Sequence, residues 1–309
     1  MEHQSVLLRE SINNLQIKNN GIYVDGTLGR AGHSSLILRQ LTSGHLYCFD
    51  KDVQALQESE KKLAAIGRNF TLINGDFSNL KSELAQYQVT GIDGLLLDIG
   101  VSSPQFDDPE RGFSYRYDAR LDMRMDQSQR LSAWEVVNTY PEKKLTDILY
   151  RFGEEKYARN IVRKILEQRA LKPINTTLEL VDVIRTALPN KILNQKGHPA
   201  KQTFQALRIE VNNELDALKK GLEEGLQLLN PDGRICVITF HSLEDRIVKQ
   251  LFREYVEVDR INKKIPIDPQ TIKESPFELI TKKPIVAAEE ELSSNNRSHS
   301  AKLRVIRKR

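Results

Sequence analysis

The chain has 309 residues, of which 46 are Lys or Arg and 42 are Asp or Glu, so its formal net charge is +4. This length suffices for one large domain or two ordinary ones, with a core that needs no disulfide. No apolar stretch approaches the ~18 residues of a membrane span, and the first residues lack the basic and apolar regions of a signal peptide, so we expect a cytoplasmic protein with no membrane partner.

The charge is unevenly distributed along the chain. Residues 1–108 and 206–291 each carry −4, whereas residues 109–205 and 292–309 each carry +6. This alternation excludes a uniformly basic packaging protein, and it makes the two basic segments candidate contacts for a polyanion.

Cysteine and histidine usage argues against a metal site. Cys48 and Cys236 are the only cysteines, and each lies in an apolar run. We predict that both are buried, reduced thiols. The six histidines are dispersed and no Cys-x-x-Cys or His-Glu-x-x-His motif is present, so we predict no metal.

The first hundred residues alternate short apolar runs with helical patterns. The runs cover residues 22–24, 46–49, 70–73 and 92–97, and helical patterns cover 34–41, 53–66 and 78–87. This alternation predicts βαβ units with a buried parallel sheet. Polar residues follow the runs: Asp25, Asp50, Asp76 and Asp98. They are expected along the carboxyl edge of the sheet, where ligands bind in such folds.

The alternation stops near residue 102 and returns near residue 203. Between them, helical patterns cover residues 132–137, 142–152, 154–170 and 178–187, separated by prolines. We therefore predict an inserted all-α domain over 106–204, with segments 1–105 and 205–309 forming one discontinuous α/β domain.

The last hundred residues again predict α/β structure. We expect one long helix over 203–229, a turn at 230–233, a strand over 234–240 and a helix over 242–255 with Ser242 as its N-cap. A short strand is expected around 284–287. Residues 303–306 alternate apolar and basic side chains, which predicts a terminal edge strand with its basic residues facing water.

The segment 24–34 is the strongest local signal. It places glycines at 26, 29 and 32 between a strand and a helix, where they let the backbone approach a ligand. A plain connecting loop is the alternative, and the spacing is not G-x-G-x-x-G. Asp50 ends the next strand, where one carboxylate can accept from both ribose hydroxyls or can cap a helix. Together these features favour S-adenosylmethionine, a nucleoside-bearing cofactor without pyrophosphate. Phe77 would then face the adenine or pack in the core.

The fourth strand ends at Asp98 and leads into Ser102-Ser103-Pro104-Gln105. This sequence approximates the loop with which amino-methyltransferases orient an exocyclic amine for in-line displacement. An ordinary turn is the alternative. We take Asp98, Ser102, Ser103 and Pro104 as candidate catalytic residues, and we assign no general base because methyl transfer to nitrogen can precede proton loss to water.

Nine segments, taken in order, resemble the bacterial ribosomal small subunit methyltransferase H family, also called MraW. They are residues 3–8, 25–34, 96–105, 111–114, 121–126, 153–155, 203–209, 240–246 and 300–305. The resemblance implies an α/β fold, a Rossmann-like class I S-adenosylmethionine-dependent methyltransferase sheet with an inserted all-α domain. It also implies methyl transfer to N4 of a cytosine in the decoding region of 16S rRNA, within the small ribosomal subunit.

The resemblance also implies a set of cofactor contacts. They are Ala31, Gly32, His33, Asp50, Phe77, Asp98 and Gln105. The chain departs from the family pattern at Ala31, where Gly is usual, and at Gln202, where a basic residue is expected. If position 31 needs a positive φ, alanine would be strained there.

Arginines interleaved with aromatic residues follow the fourth strand. Such a pattern suits RNA that is held through phosphates and stacked bases, although neighbouring aspartates could pair the same arginines. The candidate RNA-binding residues are Arg111, Arg116, Arg120 and Arg124.

Two other functions stay open from sequence alone. One is a methyltransferase of the same fold that acts on an amine of DNA or another RNA. The other is a cofactor-sensing or assembly protein without catalysis. A homodimer is also left open.

Overall fold

The computed structural model describes residues 5–101, 103–257 and 274–309, with Ser103 and Pro104 described by their backbone. The chain divides into two compact units, one formed by Met1–Gly100 with Leu215–Arg309 and the other by Val101–Glu214. Residues 101–105 and 205–214, which the sequence placed with the sheet, therefore group with the second unit. No helix among the described residues has the length and apolar character needed to cross a lipid bilayer.

The first unit is built on a seven-stranded sheet. Its strands are β1 (Ile22–Asp25), β2 (His45–Asp50), β3 (Phe70–Asn74), β4 (Ile92–Asp98), β5 (Leu229–Thr239), β6 (Phe277–Leu279) and β7 (Lys302–Lys308). The strand order is β3-β2-β1-β4-β5-β7-β6. Strands β1 to β5 pair in parallel, whereas β7 runs antiparallel to both β5 and β6. The predicted Rossmann-like α/β sheet is thus confirmed.

Helices cover both faces of this sheet. They are α1 (Leu8–Leu15), α2 (Gly32–Gln40), α3 (Val53–Ala64), α4 (Leu80–Ala85), α12 (Glu214–Leu228), α13 (Ser242–Val256) and α14 (Glu289–Ser294). Successive residues of one strand enter opposite cores: Leu95 and Leu97 belong to one apolar cluster and Leu96 to the other. Cys48 and Cys236 are buried and unbridged, as predicted.

The second unit consists of helices. They are α5 (Ser103–Asp107), α6 (Ala133–Thr139), α7 (Glu142–Gly153), α8 (Ala158–Leu171), α9 (Thr177–Ala187), α10 (Asn190–Leu193) and α11 (Lys201–Asn212). Capping boxes at Ser132 and Thr176 begin α6 and α9, because each side chain binds the free N–H groups of the first turn. A separate apolar cluster, which includes Leu149 and Ile161, forms the core of this unit.

The predicted helix over 203–229 is wrong, because the chain forms two helices there. Asn213 adopts a left-handed conformation, φ 50°, and ends α11 before α12 begins. Asparagine tolerates this conformation better than most residues. The predicted turn at 230–233 is a bulge within β5, since Leu229 pairs with Ile92 and Arg234 already pairs with Gly94.

Three expectations for the end of the chain also need correction. Strand β7 is not an edge strand, because it lies between β5 and β6, and its Arg304 is buried against Asp245. Residues 284–287 form only an isolated bridge, at Ile285. The N-cap of α13 is His241 rather than Ser242.

Candidate active site

Polar side chains connect the ends of β1 and β4 at the carboxyl edge of the sheet. Asp25 is buried and accepts hydrogen bonds from Ser34 Oγ at 2.6 Å and from the Thr27 N–H at 3.1 Å. Thr27 Oγ1 in turn accepts the Asp98 N–H at 2.7 Å. The loop after β1 is therefore fixed to the end of β4. Sequence reasoning assigned no role to Thr27 or Ser34, although both lie within the glycine-rich segment.

Asp50 joins this loop to the end of β2. Its Oδ2 accepts the Gly29 N–H at 2.8 Å, and its Oδ1 accepts the Asp52 N–H at 2.9 Å. Burial raises the pKa of the Asp50 carboxyl to about 6, against these two hydrogen bonds. Each carboxylate oxygen has a second lone pair, so Asp50 keeps acceptor capacity for the hydroxyl groups of a ligand.

Residues 31–33 begin α2 in an unusual conformation. Ala31 has φ 55°, so the position where the related family usually has glycine does require the left-handed region. Gly32 is packed against Ser5, and a Cβ atom there would overlap Ser5 Oγ. His33 is buried with its Nδ1 3.8 Å from Asp98 Oδ2.

The His33 ring is neutral at physiological pH. Burial lowers its pKa to about 4, and a hydrogen bond from the ring to the backbone of Val6 opposes this shift. Nε2 of His33 is buried and has no hydrogen-bond partner among the described residues. A buried ring nitrogen without a partner is one group that a ligand could satisfy.

Asp98 is a strongly perturbed carboxyl group of this cluster. Burial raises its pKa to about 8, the charge of Asp25 adds to the shift and the charge of Arg297 partly offsets it. Its Oδ1 is buried and accepts no hydrogen bond from any described residue. An ammonium group placed here would stabilise the ionised carboxylate and satisfy this oxygen.

Phe77 follows β3 and serves the core at least in part. Its ring packs so closely on Gly221 that a side chain at 221 would overlap it, and it adjoins the main apolar cluster of the first unit. The expected core packing of Phe77 is thus observed. Its contact with an adenine stays a prediction.

The other candidates follow the end of β4 in sequence: Ser102, Ser103, Pro104 and Gln105. Ser102 lies outside the described residues, as do the side chains of Ser103 and Pro104. Gln105 is buried and belongs to the second unit. Their contacts with the substrate or cofactor stay predictions.

Two of the candidate RNA-binding arginines have structural partners instead. Arg111 is buried, and its Nη2 donates to the carbonyl groups of Arg124 and Met125 at 3.0 and 3.1 Å. Arg124 forms a bidentate pair with Asp122, at 2.8 and 2.7 Å. We correct the expectation for Arg111, because its guanidinium is enclosed. Arg116 and Arg120 are exposed and stay candidates.

Comparison with known proteins gives close relatives over the full length. The family model described as the MraW methylase family matches residues 1–309. A protein of Lactobacillus delbrueckii subsp. bulgaricus named ribosomal RNA small subunit methyltransferase H is 53% identical over 312 residues, covering 99% of both chains. The protein of that name in Oenococcus oeni is 52% identical over 309 residues, covering 99% of this chain and 98% of its own. Among solved structures, an rRNA methylase from Streptococcus thermophilus is 13% identical and aligns over 98% of this chain and 92% of its own, with a TM-score of 0.40.

Proposed function

Because the chain belongs to the MraW methylase family, we propose that it transfers a methyl group from S-adenosylmethionine to N4 of a cytosine in the decoding region of 16S rRNA. The substrate would be the small ribosomal subunit, in keeping with the name of its full-length relatives. The observation that carries the cofactor assignment is Asp98, whose buried Oδ1 lacks a partner among the described residues at the carboxyl edge of the sheet.

The residues at this edge fit the two ends of S-adenosylmethionine. Asp98 would accept from the ammonium group of the methionine end, which compensates for the burial of its charge. Ala31, Gly32 and His33 would line the same end. Asp50 would accept from the ribose hydroxyls with the lone pairs that Gly29 and Asp52 leave available.

Phe77 and Gln105 are two further candidates for contact with the cofactor, Phe77 with its adenine. Phe77 would contact the ring by its edge or face, as aromatic side chains do with planar groups. Gln105 has both a donor and an acceptor for the polar atoms of the cofactor.

S-adenosylmethionine supplies an electrophilic methyl group on a sulfonium centre. The protein's task is to align the weakly nucleophilic amine of cytosine with that methyl group, which is a matter of positioning. The target base has to leave its stack to reach the strand end. Asp98 and the loop residues Ser102, Ser103 and Pro104 are the proposed acceptors for the amine protons, and water can take the released proton.

A transfer experiment separates this proposal from its rivals. Small subunits from cells that lack the activity are incubated with the protein and methyl-labelled S-adenosylmethionine, and the RNA is digested to nucleosides. We expect label in N4-methylcytidine. Label in another nucleoside or in added DNA would contradict the substrate assignment, and cofactor binding without transfer would contradict catalysis.

An Asp98→Ala variant tests the site itself. We expect it to lose cofactor affinity and transfer together. Full transfer by this variant would overturn the role proposed for Asp98.

A further inference from the structure

Two aromatic rings form a partly exposed stacked pair on the second unit. The rings of Tyr115 and His198 lie parallel, with centroids 4.2 Å apart and an interplanar angle of 12°. Phe204, which is buried, meets Tyr115 edge-on at 5.7 Å. The pair is therefore anchored to the helical core, while both rings remain partly exposed.

Two arginines place positive charge beside this pair. Arg116 follows Tyr115 directly, and Arg185 lies on α9; both side chains are exposed. After burial, their charges are the causes that lower the pKa of His198, so both guanidinium groups lie within electrostatic reach of that ring. Neither forms an ion pair with a carboxylate of the part of the chain that the structure describes.

Two aspartates close to Arg116 in sequence have other hydrogen-bond partners. Asp122 holds Arg124 in the bidentate pair described above. Asp118 Oδ1 accepts the Leu178 N–H, at 3.3 Å, in the first turn of α9. Neither aspartate forms an ion pair with Arg116.

An exposed aromatic residue lies close to this pair in sequence. Tyr117 lies two residues from Tyr115 and is 55% exposed, although a large aromatic ring normally gains by burial. Exposed arginines that form no ion pair with a described carboxylate, together with an accessible aromatic ring, match the demands of unpaired RNA, which is held through its phosphates and by stacking of its bases.

We propose that Arg116, Arg185 and Tyr117, together with the Tyr115–His198 pair, form a contact surface for an unpaired segment of the substrate RNA. Arg116 and Arg185 bind phosphates, and Tyr117 offers its ring to a base. This proposal rests on the proposed function, because it takes the small-subunit RNA as the partner. It adds Arg185, His198 and Tyr117 to the expected arginines and removes Arg111.

The test measures binding of unmethylated small subunits over a range of salt concentrations. Arg116→Ala and Arg185→Ala should each reduce the slope of log affinity against log salt by about 0.7 to 1, because one phosphate contact is lost in each. Tyr117→Ala should weaken binding by about fivefold or more without changing that slope, since a stacked base contributes about 1–3 kcal/mol. Cofactor affinity and the thermal midpoint should remain as in the wild type.

Arg163→Ala provides a matched control. It removes the same charge from α8 of the same unit, but its guanidinium already faces Glu167 Oε1 at 3.8 Å. We expect an unchanged slope. An Arg116→Ala, Arg185→Ala double variant with wild-type affinity and slope would overturn the proposal.

Failure of the surface and failure of the function can be told apart. Binding is measured without turnover, so the two results are independent. If the variants show the reduced salt-dependence slope but the wild-type protein forms no N4-methylcytidine, only the proposed function is overturned. Normal methylation with an unchanged slope in the double variant would overturn the surface alone.

Discussion

Ser5 packs against Gly32 so closely that a Cβ atom on residue 32 would overlap Ser5 Oγ and stand 3.0 Å from Ser5 Cβ. Gly32 does not have a positive φ, so glycine is needed there for the close approach of the N-terminal segment. We expect Gly32→Ala to displace the N-terminal segment from residues 26–33, the loop that we propose holds the cofactor, and to lower the free energy of unfolding by about 1–3 kcal/mol. Calorimetric titration should show weaker binding of S-adenosylmethionine, by about tenfold.

A second glycine at the same sheet edge is the control for this substitution. A Cβ on Gly75 would find its nearest neighbour, Ile73 Cγ2, at an ordinary 3.7 Å. Gly75→Ala should therefore leave cofactor affinity nearly unchanged. Adding Ser5→Gly to Gly32→Ala removes the overlapping atoms and should restore part of the affinity. Wild-type binding by Gly32→Ala alone would contradict the argument.

The conformation of Ala31 predicts that its replacement by glycine stabilises the folded protein. Ala31 has φ 55°, a region that costs an L-residue about 1–2 kcal/mol but costs glycine little. Ala31→Gly removes this strain, while the added freedom of the unfolded chain offsets about 0.4–1 kcal/mol of the gain. We expect a net increase of about 0.5 kcal/mol in the free energy of unfolding, measured by urea denaturation. A clear decrease would show that the alanine methyl group stabilises the loop by packing.

The raised pKa of Asp98 predicts how cofactor affinity depends on pH. The group titrates at about 8 in the folded protein instead of at its ordinary 3.8, so it is largely protonated near neutrality. An ammonium ligand needs the ionised form, so binding releases a proton, and affinity should rise severalfold between about pH 6.5 and pH 7.5. The measurement stops at about pH 7.5 because the ligand's own ammonium group loses its proton near pH 8.

The same shift has the opposite effect on the unliganded protein. The unfolded chain loses the Asp98 proton above its ordinary pKa while the folded chain keeps it, so the stability contribution falls as pH rises from 3.8 to about 8. Asp98→Asn should remove this loss and flatten the pH dependence of cofactor binding. His33 titrates at about 4 and is neutral throughout the binding window. Equal pH dependence in wild type and Asp98→Asn would contradict the assignment.

The sheet could be predicted where strands are buried on both faces. Strands β1, β2 and β4 appear in the sequence as continuous apolar runs, because a central parallel strand packs against helices on either side. Strand β7 resembled an edge strand, because Arg304 alternates with apolar residues. The ion-pair partner of Arg304 is Asp245, on α13. An ion pair between residues so distant in sequence leaves no local sequence pattern.

The site could be predicted where its residues lie at the ends of buried parallel strands. Asp50 and Asp98 follow buried strands, so the direction of a parallel sheet already brings them to one edge. The contact of Ser5 with Gly32 joins the N-terminal segment to a loop, and no spacing encodes it. Arg111 and Arg116 look alike in sequence, and only the fold distinguishes an enclosed guanidinium from an exposed one.

Glu291, on α14, forms a hydrogen bond with the N-terminal segment, residues 5–7. This segment lies against the loop that we propose holds the cofactor. Glu291 Oε1 accepts the Leu7 N–H at 2.9 Å and also a hydrogen bond from Ser298 Oγ. Leu7 is buried and adjoins Val6, the backbone partner of His33. Losing the acceptor would leave a buried N–H unsatisfied, at a cost of about 1–3 kcal/mol, and would loosen residues 5–7 above His33.

We therefore expect Glu291→Ala to weaken S-adenosylmethionine binding by about fivefold and to speed hydrogen exchange at residues 5–8. Glu291→Gln retains an acceptor oxygen and should bind nearly as the wild type, which distinguishes lost geometry from lost charge. Glu290→Ala, an exposed neighbour on α14, controls for the change in net charge and helix composition. If Glu291→Ala exchanged faster at α14 but not at residues 5–8, Glu291 would stabilise only its own helix. The N-terminal segment would then be held by its other contacts, which include Gly32, His33 and the apolar core around Val6 and Leu7.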